Sequence, residues 1–87
     1  MVKESVVISN ETGLHARPAS EIAKIAMKYN CEINLVVNDK KINAKSPLMI
    51  MAAGIKGNSK VEICCNGENE QEALKEIIQA FENHFGE

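Results

Sequence analysis

The feature that most constrains the fold of this chain is the recurrence of apolar residues at every second position in four short segments. Most of the residues between them are polar or charged, although Glu4 and Val7 blur the pattern in the first segment. Such alternation is typical of strands that bury one face and leave the other in water. The alternating apolar residues are Val2, Val6, Ile8, Ile33, Leu35, Val37, Ile42, Ala44, Val61, Ile63 and Cys65.

Between these strands the apolar spacing becomes helical. A first helix is predicted from about Ala16 to Tyr29, and Pro18 is compatible with its first turn, where the missing N–H would have no helical partner. Ser46, Pro47 and Gly54 stand in the order of an N-cap, a first-turn proline and a terminating glycine. They predict a short second helix.

A third helix is predicted near the end of the chain. Asn69 is expected to cap it, with Glu72 reaching back to the cap. Its apolar stripe comprises Ala73, Leu74, Ile77, Ile78, Phe81 and Phe85, ending near Gly86. The segment Asn38-Asp39-Lys40 predicts a β-hairpin between the second and third strands.

The predicted order is β-α-β-β-α-β-α, an α+β fold in which three helices cover one face of a four-stranded antiparallel sheet. A chain of 87 residues that is 45% hydrophobic fits one domain, residues 1–87, with one core. The net charge of −2 and the 3% aromatic content disfavour direct binding of nucleic acid. With no signal-peptide pattern and no run of membrane-spanning length, we expect a cytoplasmic protein without membrane insertion.

The three cysteines do not form a recognisable site pattern. Cys64 and Cys65 are adjacent, and Cys31 is distant in sequence. This arrangement lacks both a disulfide framework and the spaced pairs of a zinc site, so we expect reduced thiols, no metal and no cofactor.

The segment Gly13-Leu14-His15-Ala16-Arg17-Pro18 carries the candidate chemistry. A helix start offers unpartnered N–H groups and a positive dipole end to an anion, and the Arg17 guanidinium suits phosphate oxygens. His15 could then take a phosphoryl group onto a ring nitrogen, but the residues alone leave open that it is an ordinary surface histidine. No sequence neighbour completes a hydrolytic triad or a metal site.

This segment resembles the active-site signature of HPr, the histidine-containing phosphocarrier of the bacterial phosphoenolpyruvate-dependent sugar phosphotransferase system. The resemblance extends over the whole chain and implies an open-faced β-sandwich. It implies that His15 accepts a phosphoryl group on Nδ1 from enzyme I and passes it to sugar-specific enzyme IIA domains. Arg17 and the N–H groups of Ala16 and Arg17 would hold the phosphoryl oxygens. The protein would be a stoichiometric carrier and not a catalyst.

Ser46 has two interpretations. As the residue before Pro47 it is sufficient as a helix cap. Lys45-Ser46 also resembles the regulatory segment of HPr from low-GC Gram-positive bacteria, which implies phosphorylation by an HPr kinase/phosphorylase and binding of a catabolite-control transcription factor. Those relatives commonly carry Ser-Ile-Met-Gly, whereas this chain has Ser46-Pro47-Leu48-Met49.

A docking surface for protein partners is expected on the first two helices. It comprises the polar residues Arg17, Ser20 and Lys24 and the apolar residues Leu48 and Met51. Lys24 could instead be a plain surface charge, and one of the two apolar residues could belong to the core. We expect a monomer.

Two other functions remain open from the sequence. One is a regulatory HPr-like binding module that acts mainly through phosphorylated Ser46, although the presence of His15 argues against that as its sole role. The other is a small phosphate-binding hydrolase using Arg17, which lacks a nearby base or metal ligand.

Overall fold

Three helices lie on one side of a four-stranded sheet. The computed structural model describes residues 1–8, 16–83 and 85. The elements are β1 (Val2–Val7), α1 (Ala16–Ala26), β2 (Glu32–Val37), β3 (Lys40–Asn43), α2 (Pro47–Ala52), β4 (Lys60–Asn66) and α3 (Glu70–Glu82). The order β-α-β-β-α-β-α and the predicted α+β class are confirmed.

The strands are arranged in the order β1-β4-β2-β3, and every neighbouring pair is antiparallel. Leu35 of β2 lies opposite Ile63 on one side and Ile42 on the other, and Val6 of β1 lies opposite Val61. This register places the alternating apolar residues of all four strands on one face of the sheet.

The core fills the space between that face and the helices. Each helix contributes a fully buried isoleucine, namely Ile22 of α1, Ile50 of α2 and Ile77 of α3. Within the part of the chain that the structure describes, no polar or charged residue is buried. The helices are therefore held to the sheet mainly by apolar burial.

The hairpin between β2 and β3 is confirmed. Asn38 and Asp39 have φ angles of 50° and 67°, so both lie in the left-handed region. A two-residue turn with two positive φ angles matches the right-handed twist of antiparallel strands, and asparagine and aspartate tolerate it best after glycine.

The predicted ends of α2 are also confirmed. The Ser46 Oγ accepts a hydrogen bond from the Met49 N–H at 3.2 Å, and Pro47 is the first residue of the helix. Gly54 follows the helix with a φ of 63°, a conformation that glycine adopts without steric cost.

The predicted end of α1 is too late by three residues. The helix ends at Ala26, and the N–H groups of Lys28 and Tyr29 donate to the carbonyls of Ile25 and Ala26 at 3.1 and 3.2 Å. These tighter bonds, three residues back in the chain, close the last turn and end the regular α-helix.

Asn69 occupies the predicted N-cap position of α3, but its side chain does not cap the helix as predicted. Asn69 has a left-handed backbone (φ 57°, ψ 31°) and its side chain makes no capping bond, because a capping residue normally has an extended backbone. The carboxylate of Glu70 accepts from the Gly67 N–H at 3.0 Å instead.

At the C-terminal end of α3, Phe85 packs edge-on against Phe81 with ring centroids 4.8 Å apart. Gly86, where the helix was expected to end, lies outside the described residues.

Candidate functional site

The first turn of α1 forms the described part of the predicted phosphate site. The helix begins at Ala16, where Ala16 and Arg17 are exposed, and Pro18 is buried beneath them. That turn contains no acidic residue, so the positive end of the helix dipole is not neutralised from within α1. His15 directly precedes the helix and, with Gly13 and Leu14, lies outside the described residues.

The polar docking residues predicted on α1 share the exposed side of that helix. Arg17, Ser20 and Lys24 are all exposed, and their spacing of three and four residues places them along one stripe. Glu21, beside this stripe, is half-buried. The buried residues Ile22 and Ala23 hold the opposite side of α1 against the core.

The outward side of α2 is apolar. Leu48 is 73% exposed and Met51 is 39% exposed, whereas Ile50 between them is fully buried. Both predicted docking residues therefore lie at the surface, and Ile50 supplies the core contact of this helix. Since α2 packs against α1, the apolar side chains and the polar stripe belong to neighbouring helices.

Sequence reasoning missed Met49, which is 48% exposed and extends the apolar surface of α2. No local signal identifies it, because the run from Leu48 to Met51 is apolar throughout. Its exposure follows from the burial of Ile50, since adjacent residues of a helix point in different directions.

Ser46 makes a structural contact and is also partly exposed to solvent. Its side chain is half-buried, and its Oγ is held by the Met49 N–H. Lys45, the residue before it, donates from Nζ to the Tyr29 carbonyl oxygen at 2.8 Å. The start of α2 is therefore tied to the chain that follows α1.

A polar cluster beyond the C-terminal end of α1 joins that helix to α3. The Tyr29 hydroxyl donates to Glu76 Oε1 at 2.6 Å, and Lys28 Nζ bonds the other carboxylate oxygen of Glu76. The hydrogen bond to Glu76 and burial raise the pKa of Tyr29 to about 12. The Lys28 and Tyr29 bonds lower the pKa of Glu76 below its ordinary value. This cluster holds two helices together at the end of α1 opposite Arg17.

The cysteines are not part of α1 or α2: Cys31 directly precedes β2, and Cys64 and Cys65 belong to β4. Cys31 and Cys65 are buried, Cys64 is half-buried, and all three are free thiols. Burial raises the pKa of Cys65 to about 12, and burial together with Glu62 raises that of Cys64. Neutral thiols of this kind are poor nucleophiles and pack as small apolar groups.

The described ranges of the chain omit residues 9–15, 84, 86 and 87. These ranges hold no group of three histidine, cysteine or acidic side chains placed to bind a metal ion. They also hold no helix with the length and apolar character that crossing a membrane requires. The exposed end of α1 and the apolar side of α2 thus remain the candidate site.

Comparison with known proteins identifies the class of this fold and site. Residues 2–83 match the family described as the PTS HPr component phosphorylation site. The chain is 39% identical over 79 residues to the phosphocarrier protein HPr of Mycoplasma capricolum, covering 91% of this chain and 89% of that protein. The crystal structure of HPr-C-His from Thermoanaerobacter tengcongensis superposes with a TM-score of 0.94 at 38% identity, covering 100% of this chain and 98% of that chain. The chain belongs to the HPr family of phosphocarrier proteins of the phosphotransferase system.

A regulatory relative is also similar. The structure of Crh from Bacillus subtilis, described as a catabolite repression protein, has a TM-score of 0.76 at 32% identity, with 95% of each chain covered. That protein is described as an intertwined dimer with a swapped domain. Relatives of this chain thus include a dimeric protein.

Proposed function

We propose that residues 1–87 form one HPr-like domain that carries a phosphoryl group on His15. The donor is the phosphohistidine of enzyme I, and the acceptors are sugar-specific enzyme IIA domains. The observation that carries this proposal is the start of α1 at Ala16, one residue after His15, with the Arg17 side chain exposed in the same turn. Membership of the HPr family supports the same assignment.

Phosphoryl transfer through His15 requires few protein groups. The Nδ1 atom of His15 forms a bond to phosphorus as the bond between phosphorus and the donor histidine breaks. Arg17 and the N–H groups of Ala16 and Arg17 stabilise the charge on the phosphoryl oxygens, because a helix N-terminus and a guanidinium both favour an anion. Transfer to the next protein restores His15, so the chain acts as a stoichiometric carrier without a cofactor.

Docking uses the exposed sides of α1 and α2. Arg17, Ser20 and Lys24 supply polar and positive groups, and Leu48 and Met51 supply the apolar contact. A positive rim around an apolar patch fits an acidic partner surface with an apolar centre. In this scheme the carrier works in the cytoplasm as a monomer.

The transfer step is tested by incubating the protein with enzyme I and phosphoenolpyruvate and measuring acid-labile phosphate. His15→Ala should remove the label, and His84→Ala, the change of the only other histidine, should retain it. An unlabelled wild type, or equal labelling of the His15→Ala variant, contradicts the proposal.

Ser46 is the proposed regulatory site, phosphorylated by an HPr kinase/phosphorylase. A phosphate at Ser46 would keep an acceptor at the start of α2, where the dipole favours negative charge, and would add charge beside the apolar docking side chains. The modified form would slow acceptance from enzyme I and bind a catabolite-control transcription factor. Similarity to Crh supports this part of the proposal.

Intact-mass measurement after incubation with the kinase and ATP tests the regulatory site. Ser46→Ala should lose the added mass, whereas Ser59→Ala, which changes another half-buried serine, should keep it. Ser46→Asp should lower the rate of labelling by enzyme I. Unchanged labelling kinetics would contradict the regulatory role.

A regulatory module acting mainly through Ser46 is the second candidate, favoured by the similarity to Crh. The two candidates differ in what His15→Ala removes. If His15→Ala still binds the regulatory partner while Ser46→Ala does not, the protein acts mainly as a regulatory module and not as a phosphoryl carrier.

A further inference from the structure

The turn after β4 contains an unusual pair of residues for this chain. Asn66 is the only asparagine in the sequence that is followed by glycine. It is exposed, it is the last residue of β4, and its Cα lies opposite that of Glu32. Asparagine followed by glycine is the dipeptide most prone to attack of the next backbone nitrogen on the side-chain amide, because glycine carries no side chain to hinder the approach.

The fold requires glycine at position 67. Its φ is 129°, a backbone conformation that other residues adopt only with strain. A Cβ atom there would lie 3.1 Å from both the Cα and the Cβ of Cys31, a buried residue. Replacement of Gly67 by a larger residue would therefore displace the chain before β2, so the fold requires the glycine of this pair.

The backbone nitrogen of Gly67 is engaged by Glu70. The Gly67 N–H donates to Glu70 Oε1 at 3.0 Å, and Glu70 Oε2 lies 3.2 Å from the N-terminal ammonium of Met1. The Gly67 bond and the ammonium both lower the pKa of Glu70 below its ordinary value, so the acceptor is charged at neutral pH. A carboxylate on this N–H opposes its deprotonation, and deprotonation precedes attack on the Asn66 amide.

We propose that Asn66 is a site of intramolecular deamidation and that the Glu70 carboxylate slows the reaction by holding the Gly67 N–H. In the reaction the Gly67 nitrogen loses its proton and bonds to Asn66 Cγ. The bond from Cγ to the side-chain nitrogen breaks, and that nitrogen takes up a proton and leaves as ammonia. The resulting succinimide takes up one water molecule. Opening at Cγ gives aspartate, and opening at the backbone carbonyl gives isoaspartate.

The products would alter one end of β4, a central strand of the sheet. Either product places a negative charge opposite Glu32 and near Glu70. Isoaspartate also adds a methylene group to the backbone at the end of β4, the strand bonded to both β1 and β2. Like charges opposite each other and a longer backbone both weaken strand pairing.

The test is incubation of the folded protein at mildly alkaline pH, followed by peptide mapping that measures amide-to-acid conversion at each asparagine. Asn66 should convert faster than Asn38 and Asn58, which are also exposed but are followed by larger residues. Glu70→Ala should speed conversion of Asn66 about tenfold, the effect expected on loss of a hydrogen bond to a charged group.

Glu72→Ala is the matched control, because Glu72 also lies in the first turn of α3 but is not the acceptor of the Gly67 N–H. It should leave the Asn66 rate unchanged, and unfolding in urea should bring wild type and Glu70→Ala to one common rate. The proposal is overturned if Asn66 converts no faster than Asn58, if Glu70→Ala matches wild type in the folded state, or if Glu72→Ala accelerates the reaction equally.

Discussion

The two ends of α1 face different kinds of neighbour. Beyond its C-terminal end, Lys28 and Tyr29 bond Glu76 of α3, so polar groups there are satisfied within the chain. At its N-terminal end Arg17 is exposed, and α2, which packs against α1, presents Leu48 and Met49 to solvent. Groups paired inside the chain stabilise the fold, whereas exposed apolar and charged groups side by side are typical of surfaces that contact other proteins.

The largest effect on the free energy of unfolding is expected on the buried side of α2, and almost none on its exposed side. Ile50→Ala removes a fully buried side chain and should lower the free energy of unfolding by about 2–5 kcal/mol. Leu48→Ala, a cut of similar size on the exposed side, should change it by less than about 0.5 kcal/mol. Urea unfolding measures both, and equal losses would show that Leu48 serves the fold as much as Ile50 does.

A smaller effect on the free energy of unfolding is expected at the start of α2. Ser46→Ala removes the acceptor of the Met49 N–H and should destabilise the protein by about 1 kcal/mol. For a chain of this size that corresponds to a Tm lower by about 4–8 °C. Ser46→Asp restores an acceptor and should recover most of the loss in thermal unfolding, whereas a fall as large as that of Ser46→Ala would contradict the capping role.

The bond between Tyr29 and Glu76 should contribute less, because both side chains are partly exposed. Tyr29→Phe should cost about 0.5–1 kcal/mol near neutral pH. Since folding raises the pKa of Tyr29 from 10.0 to about 12, its contribution is complete below pH 10 and is lost as the pH rises through 12.

The difference in unfolding free energy between wild type and Tyr29→Phe should therefore shrink across that pH range. The protein has one tyrosine and no tryptophan, so its tyrosinate absorbance reports this residue alone. If the Tyr29 phenol is half-ionised near pH 10, its ordinary pKa, then Glu76 does not hold the phenol proton.

The smallest effect on stability is expected at Arg17. Arg17→Ala should change the free energy of unfolding by less than about 0.5 kcal/mol, because the side chain is exposed, while it slows labelling by enzyme I. Arg17→Lys keeps the charge but not the planar fork of donors and should recover only part of the rate. A parallel fall in Tm and labelling rate would place Arg17 among the structural residues.

Local patterns account for most of what could be predicted. Alternation gave the strand residues, and the order Ser46, Pro47, Gly54 gave α2, because strand pleating, capping and turn preferences act over a few residues. The cap of α3 could not be settled locally. Asn69 has the side chain of a capping residue but a left-handed backbone, and the nearby Gly67 lies against Cys31, far away in sequence.

Only part of the candidate site could be predicted from local sequence patterns. The positions of Arg17, Ser20 and Lys24 follow from helical spacing, but the exposure of Met49 depends on which residue of α2 enters the core. The contacts of Glu76 join residues 47 and 48 positions apart, a separation that no local pattern reports. The predictions for His15 remain predictions, since that residue lies outside the described part of the chain.

The strand order β1-β4-β2-β3 has a consequence for how the molecule is made. Only the hairpin of β2 and β3 joins strands that are consecutive in sequence, and β1 pairs with β4 alone. Because β4 ends at Asn66, a growing chain on the ribosome cannot complete its sheet until most of the sequence has emerged. Folding is therefore a late event, and a chain released before β4 would expose both of the strands that β4 separates.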